Sequence, residues 1–451
     1  MQRSYSIFYS PTDGAFAKRY PALAHLPCIL DARPGYHRLA NLYLMDRGLG
    51  LWRSQGSARS AIPTKKTMHS YAHWLANFLE WAEVRSVDLN ACSYSAHVAG
   101  RYQSEMLEGT WSRDGQGRRA STVNARVQQA CDFLTWMVEK GFRGVFEIPY
   151  ETRQLTIGSA TRAVGQMTRQ VRVRGGKARA QNRALHMPTN AAVRQWLARV
   201  NESAGATLGL MCETVLLTAM RREEVACLRV DTLPEDPRDW KISNPSAPES
   251  KQLVRISIEF GTKGQSYGED HADKIGPERS ILIPLSLARR WHAYRNGDRN
   301  LAFKRWMDGV KGAEARRTRA REAEHLFLRE DNGSRISGKK LYDAWVSVEL
   351  PIEGWSPHQG RHWWACSVLW RELQKHENIG QLSSETATAL LESTALSIIR
   401  LHIQPQLGHA QDSTTMIYIR WVMDMVSRPV SLDDDLSFDK NDHAFPKDNH
   451  Q

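Results

Sequence analysis

Three short stretches of this sequence carry side chains that bind anions, move protons or attack. In LLTAMRREEVACLRVDTL an apolar helix ends near Met220, Arg221 follows, and a second helix opens with Glu223 and Glu224. An arginine between two packed helices is positioned rather than floppy, although Arg-Arg-Glu-Glu alone is also an ordinary charged helix start. In HQGRHWW, His358 and Arg361 stand three residues apart, so one helical turn turns both to the same side. In LGHAQDSTTMIYIR, Gly408 allows a tight turn before His409, and Tyr418 follows nine residues later. Guanidinium forks hold oxyanions, imidazoles carry protons near neutral pH, and a tyrosine hydroxyl becomes a nucleophile once its proton is removed. A zinc reading of His358 with His362 lacks both the His-Glu-x-x-His pattern and a nearby third ligand. The sequence has no Walker loop and no clear carboxylate cluster for Mg²⁺. The expectation is chemistry done by side chains, with no metal and no cofactor.

The elements that must position these groups follow from the apolar patterning. From Thr64, KKTMHSYAHWLANFLEWAEV repeats apolar residues at three- and four-residue steps, one helical stripe. SAHVAGRYQSEMLEG and STVNARVQQACDFLTWMVEKG are further helices, the last with Ser121 or Thr122 as cap and Gly141 at its end. Together they predict a helical domain of roughly 100 residues. After Pro188, PTNAAVRQWLARV (capped by Thr189 or Asn190) and ATLGLMCETVLLTAM read as helices, and LVRISIEF and SILIPL as strands. The charged stretch 301–324 reads as helical, either a solvated insertion or a further polyanion contact. Residues 1–60 carry Pro and Gly breaks and one short helical run, and are set apart as an N-terminal extension. The predicted organisation is therefore an extension (1–60), a helical domain (61–150), a basic interdomain linker (151–187), a larger α+β domain (188–430) and a polar tail (431–451). The fold class is mainly α with a small antiparallel β-sheet.

Charge narrows the partner. The chain of 451 residues has a formal net charge of +12, and its pI is about 9.5. A surplus of this size points to a polyanion, most commonly nucleic acid, although many ordinary proteins are basic too. From Thr152 to Val200 there is no acidic residue while Arg and Lys recur. Such a run repels itself unless phosphates neutralise it, which favours DNA contact over a merely solvated connector. Arg162, Arg169, Arg172, Arg174, Lys177 and Arg179 are the candidate contacts. Six scattered cysteines form no Cys-x-x-Cys pair and read as reduced thiols. No stretch resembles a membrane span or a secretory leader, so the expected location is the cytoplasm, at the prokaryotic nucleoid.

Each motif is weak alone, but their order is not. Arg221, a Gly-Thr-Lys-Gly turn at Lys263, His358 with Arg361, His409 and Tyr418 follow one another along the chain. In this order the chain resembles the tyrosine recombinase (phage integrase) family from residue 188 on. TAMRREEVACL resembles that family's first arginine motif, HQGRHWWA its His-x-x-Arg-His box, and LGHAQDSTTMIYIR its Leu-Gly-His…Tyr box. The helices from Thr64 to Gly141 resemble, less specifically, its SAM-like core-binding domain. Ala219 stands where the family usually has Gly, and Trp363 and Trp364 replace smaller residues, implying local repacking. Lys274 competes with Lys263, which is preferred because it closely follows the strand LVRISIEF. Arg222 competes with Arg221, but only Arg221 has the Arg-x-x-Glu spacing to Glu224.

The resemblance implies site-specific DNA cleavage and rejoining through a 3′-phosphotyrosyl intermediate. Tyr418 would be the nucleophile, and Arg221 and Arg361 would brace the transition state. His409 would donate to the same phosphate, His358 would act as general base and Lys263 as general acid. Glu224 would orient the others. It further implies clamping of double-stranded DNA at inverted sites, exchange through a Holliday junction, and a homotetramer on synapsed DNA from a free monomer or dimer. Accessory proteins are compatible with that scheme. Rival readings are a type IB topoisomerase or DNA-end resolving enzyme, a catalytically silent DNA-binding relative, and a metal-dependent nuclease.

Overall fold

The computed structural model describes residues 5–9, 15–31, 35–54, 62–157, 167–179, 185–261, 275–374, 393–408, 417–419 and 421. It is mainly helical, with three small antiparallel sheets. The chain divides into two units: Met1–Arg183 with Glu259–Pro277, and Ala184–Ile258 with Glu278–Gln451.

In the first unit the chain runs β1 (Ser6–Tyr9), α1 (Ala15–Arg19), β2 (Pro27–Asp31), β3 (Gly35–Tyr36), α2 (Arg38–Gly48) and α3 (Lys65–Val84). A π-helical segment, Tyr94–Gln103, leads into α4 (Ser104–Glu108), and α5 (Ala120–Glu139) closes the helical part. Thr64 caps α3 by accepting from the Thr67 N–H at 3.3 Å. α5 begins one residue before the expected caps: Ser121 and Thr122 lie inside its first turn, and Arg119 holds the cap position. The apolar stripes of α3 and α5 meet in a core that includes Phe78, Trp81, Tyr102, Phe133 and Trp136. Each such side chain contributes roughly 1.5–3 kcal/mol by leaving water. Their polar edges are satisfied: Trp81 Nε1 donates to Glu105 at 3.0 Å and Trp136 Nε1 to Asp46 at 2.9 Å.

Within residues 1–60, which the sequence sets apart as an extension, Leu26, Ile29, Tyr43, Leu44 and Trp52 belong to this same core. Strands β1, β2 and β3 pair in that order as one antiparallel sheet. The segment read as an extended linker instead forms an antiparallel hairpin, β4 (Tyr150–Ile157) with β5 (Met167–Arg174), in register Tyr150↔Arg174. Alternating Val and Arg in MTRQVRVR is a strand pattern that the charge run obscures.

In the second unit, α6 (Asn190–Ala204) and α7 (Ala206–Thr218) pack as a pair, followed by α8 (Arg222–Ala226). Thr189 caps α6. A three-stranded sheet in the order β6 (Lys241–Ile242), β7 (Leu253–Phe260) and β8 (Ile275–Pro284) comes next. Then follow α9 (Leu285–Asn296), α10 (Asp298–Asp308), α11 (Ala313–Glu322), α12 (Gly338–Trp345) and α13 (Pro357–Gln374). Trp196, Trp345 and Trp355 cluster in one core, Trp196 and Trp345 with ring centroids 4.4 Å apart. Gly360 lets α13 cross this cluster, since a Cβ there would sit 2.7 Å from Trp345. A second core joins α13 to the residues around 395–407 and to Tyr418. The adjacent Trp363 and Trp364 divide between the two cores, which accounts for bulky residues at these positions. The stretch 301–324 is helical in α10 and α11, as its pattern predicts.

Candidate functional site

Everything in this site belongs to the second unit. α7 ends at Ala219, whose backbone is left-handed at φ 54° and ψ 26°. That reversal places Arg221 at the N-terminal cap of α8, with extended backbone at φ −70° and ψ 151°. One turn on, Glu224 is buried, and its carboxylate organises the site. It accepts from the Arg221 backbone N–H at 2.7 Å and from Arg221 Nη1 at 2.7 Å. It also accepts two bonds from Arg279 of β8, Nη1 at 2.6 Å and Nη2 at 2.7 Å. Arg361 Nη1 lies 3.8 Å from the same carboxylate. Arg222 instead bonds Glu223 and lies over Tyr342.

Arg361 is only 3% exposed. Its Nη1 donates to the carbonyl of Ala219, and its Nη2 to that of Leu407 at 2.9 Å. Arg221 Nη2 donates to the Gly408 carbonyl at 3.2 Å. Gly408 has φ +61°, and a Cβ there would sit 3.0 Å from Arg279, so glycine serves both the turn and the close approach. The turn is held from below by Gln406. Its Nε2 donates to Thr218 O and Leu282 O, both at 2.9 Å, and its Oε1 accepts from the Leu282 N–H at 3.0 Å. Gln406 thus ties the end of α7, strand β8 and the Gly408 turn together.

Electrostatics follow from this packing. Burial pushes the Glu224 carboxyl up, but the bonds and charge of Arg279, with the charges of Arg221 and Arg361, outweigh it and hold the group at about 2. Burial pushes the Arg361 guanidinium down to about 9, against the pull of Glu224, so it stays charged at neutral pH. Three guanidiniums against one carboxylate leave two positive charges, enough to receive a phosphodiester anion.

Tyr418 has no exposed surface. Its hydroxyl lies 2.8 Å from His362 Nδ1. Burial pushes this hydroxyl well above the usual phenol range, Cys366 adds to the rise, and Arg361 opposes it. His358, one turn before His362 on α13, is exposed, and its ring meets that of His362 edge to face at 4.5 Å. The structure therefore brings Arg221, Glu224, Arg361 and the Gly408 turn together. It places the Tyr418 hydroxyl against His362, the residue after Arg361, with His358 one turn earlier on the same helix. Lys263, its competitor Lys274, and His409 lie outside the described residues. No group of three or more His, Cys, Asp or Glu side chains suited to a metal occurs among the described residues.

Sequence reasoning missed Arg279 and Gln406 and weighed His362 only as a zinc ligand. Alternation in ERSILIPL marks Arg279 as sharing a face with Ile281 and Ile283, the one signal that could have singled it out. Of the candidate DNA contacts, Arg174 is corrected. It is 2% exposed, and its Nη1 donates to Tyr94 Oη at 2.5 Å, so it anchors the hairpin instead of meeting solvent. Arg172 is exposed and stacks on Tyr150 at 4.2 Å, and Lys177 and Arg179 are exposed. Arg162 and the side chain of Arg169 lie outside the description.

No protein-family profile and no curated protein matches this chain. Among solved structures, it is similar to the XerH site-specific recombinase bound to a palindromic difH substrate. Identity is 15% and the TM-score 0.45, with 92% of this chain and 93% of that one covered. It is also similar to the Tn1549 transposon integrase with transposon right-end DNA, at 13% identity and a TM-score of 0.43 over 86% and 99% of the chains. A lambda integrase dimer bound to a core site matches at 12% identity and a TM-score of 0.37 over 79% and 89%.

Proposed function

We propose that this protein is a tyrosine recombinase, cleaving and rejoining DNA at specific sites through a covalent bond to Tyr418. One observation carries the reading: three motifs far apart in sequence close on one another through Arg361 and His362. Arg361 bonds the turns holding Arg221 and Gly408, and its neighbour bonds Tyr418.

In this reading Arg221 and Arg361 neutralise the non-bridging oxygens that otherwise repel a nucleophile, and they stabilise the charge that builds in the transition state. Glu224 fixes the pair without reacting. Lys263 protonates the leaving 5′-oxygen, and His409 donates to the phosphate. The 3′-phosphotyrosyl bond conserves the phosphodiester energy, so rejoining requires neither ATP nor a metal ion. The substrate is double-stranded DNA with inverted sites, and exchange proceeds in a homotetramer through a Holliday junction.

A covalent-trapping assay tests the proposal. Duplexes from DNA flanking the gene, nicked so that the cleaved fragment diffuses away, are incubated with wild type or Tyr418→Phe in chelator and then denatured. A slow-migrating protein–DNA species in wild type alone is expected. Cleavage that the chelator abolishes, without an adduct, would instead identify a metal-dependent nuclease.

A further inference from the structure

We propose that His362 is the group that takes the proton of Tyr418 during cleavage and returns it on rejoining. This inference rests on the recombinase reading above and deepens it. A phenol with no exposed surface cannot pass its proton to bulk water, so the proton must go to a group in contact. Tyr418 is such a phenol, and its hydroxyl lies 2.8 Å from His362 Nδ1. With its own proton on Nε2, the neutral imidazole offers Nδ1 as the acceptor. Helix α13 carries Arg361 and His362 as neighbours, so a single rigid element sets both the guanidinium and the proton acceptor.

Burial makes this help necessary, because it holds the phenol in its protonated form, and the Arg361 charge offsets only part of that. In cleavage the Tyr418 O–H bond breaks and its proton moves to His362 Nδ1, giving an imidazolium. The phenolate oxygen bonds phosphorus, and the bond from phosphorus to the 5′-oxygen breaks, that oxygen taking a proton from the general acid. In rejoining, the 5′-hydroxyl gives that proton back and attacks phosphorus. The phenolate then leaves and recovers its proton from His362. Nothing is oxidised or reduced.

The test uses the full chain and His362→Asn, whose amide oxygen can accept the phenol's hydrogen bond at the Nδ1 position but cannot hold its proton. Adduct formation is timed on nicked duplexes from DNA flanking the gene. It is timed again with 2,3-difluorotyrosine at position 418, which ionises more readily. His362→Asn should slow adduct formation about 100-fold. Fluorination should recover most of that loss in the variant and change the wild type little. An unslowed His362→Asn overturns the proposal. A slow variant that fluorination fails to speed also overturns it and assigns His362 a structural role. If thermal melting shows that His362→Asn does not fold, His362→Gln is read in the same way. Absence of any adduct from wild type overturns the recombinase reading and this inference with it, whereas a wild-type adduct with an unslowed variant overturns this inference alone.

Discussion

Glu224 is a carboxylate without exposed surface that answers to three arginines, and Arg279 supplies its strongest bonds. A buried charge that loses its partner costs about 3–5 kcal/mol. Arg279→Ala should therefore cost about 3 kcal/mol in denaturant unfolding and slow adduct formation, because Arg221 and Arg361 lose their common anchor. The pH dependence has a definite sign. The folded-state value of about 2 lies below the ordinary carboxyl value of about 4.3. The stability this group contributes is thus present above about pH 4.3 and is lost as pH falls toward 2. Arg279→Ala lets the folded-state value rise toward the ordinary one, so the variant should lose less stability than wild type as pH falls below about 4.3, as unfolding midpoints across pH 3–7 would show. Wild-type and variant curves that stay parallel would sink the assignment. Ala219 offers a test of the opposite sign. Its φ of 54° strains any L side chain by about 1–2 kcal/mol, whereas glycine there costs about 0.5–1 kcal/mol of chain entropy. Ala219→Gly should be neutral or stabilising by up to about 1 kcal/mol. A marked loss would mean that its buried methyl matters more than the backbone.

At the scale of elements, the hairpin β4–β5 hangs on Arg174. Its guanidinium bonds Tyr94, whose hydroxyl donates to Gly175 O at 2.5 Å, and Gln103 Nε2 donates to Gly176 O at 2.8 Å. Arg174→Ala should destabilise the protein by about 1–3 kcal/mol, because it removes the buried bond to Tyr94 and the side chain that packs beneath the hairpin. The exposed Arg172→Ala should stay within about 0.5 kcal/mol. Equal effects in thermal unfolding would contradict this division. The same hairpin shows what sequence can and cannot reveal. Helices α3, α5 and α6 and strand β7 were legible because their apolar periodicity is strong and local. Arg221, Arg361 and Tyr418 were legible as a set because their order resembles a family's. The fate of Arg174 was not, since one arginine among many looks solvated until a tyrosine from a distant helix is seen beneath it. Arg279 and Gln406 escaped for a similar reason: their partners lie 55 residues and more away in sequence. The contact of His362 with Tyr418 escaped too, because spacing on a helix leaves His358 and His362 on one side and does not say which ring meets the phenol.

For the whole molecule, a net charge of +12 overstates what is available to a polyanion. Several arginines are spent internally. Arg295 donates to the carbonyls of Val230, Leu233, Pro234 and Glu235, and Arg299 to those of Ala323 and His325. In the charged helices α10 and α11, Arg316 donates to Val310 O, and Arg319 donates to Trp306 O and lies over that ring. Arg317 and Arg321 are exposed. If this surface follows the DNA backbone, those two are the ones to neutralise phosphates, each releasing counterions and steepening the salt dependence of binding by about 0.9 per contact. Affinity for a fixed duplex, measured between 50 and 200 mM salt, should fall linearly on a double-logarithmic plot. Replacing Arg317 and Arg321 together with Ala should flatten that slope by about 1.8 and leave stability unchanged. Replacing the half-buried Arg319 should do the reverse, lowering the melting temperature with little change of slope. A slope indifferent to Arg317 and Arg321 would show α11 to be a solvated insertion, and the search for phosphate contacts would move to Arg172, Lys177 and Arg179 beside the hairpin.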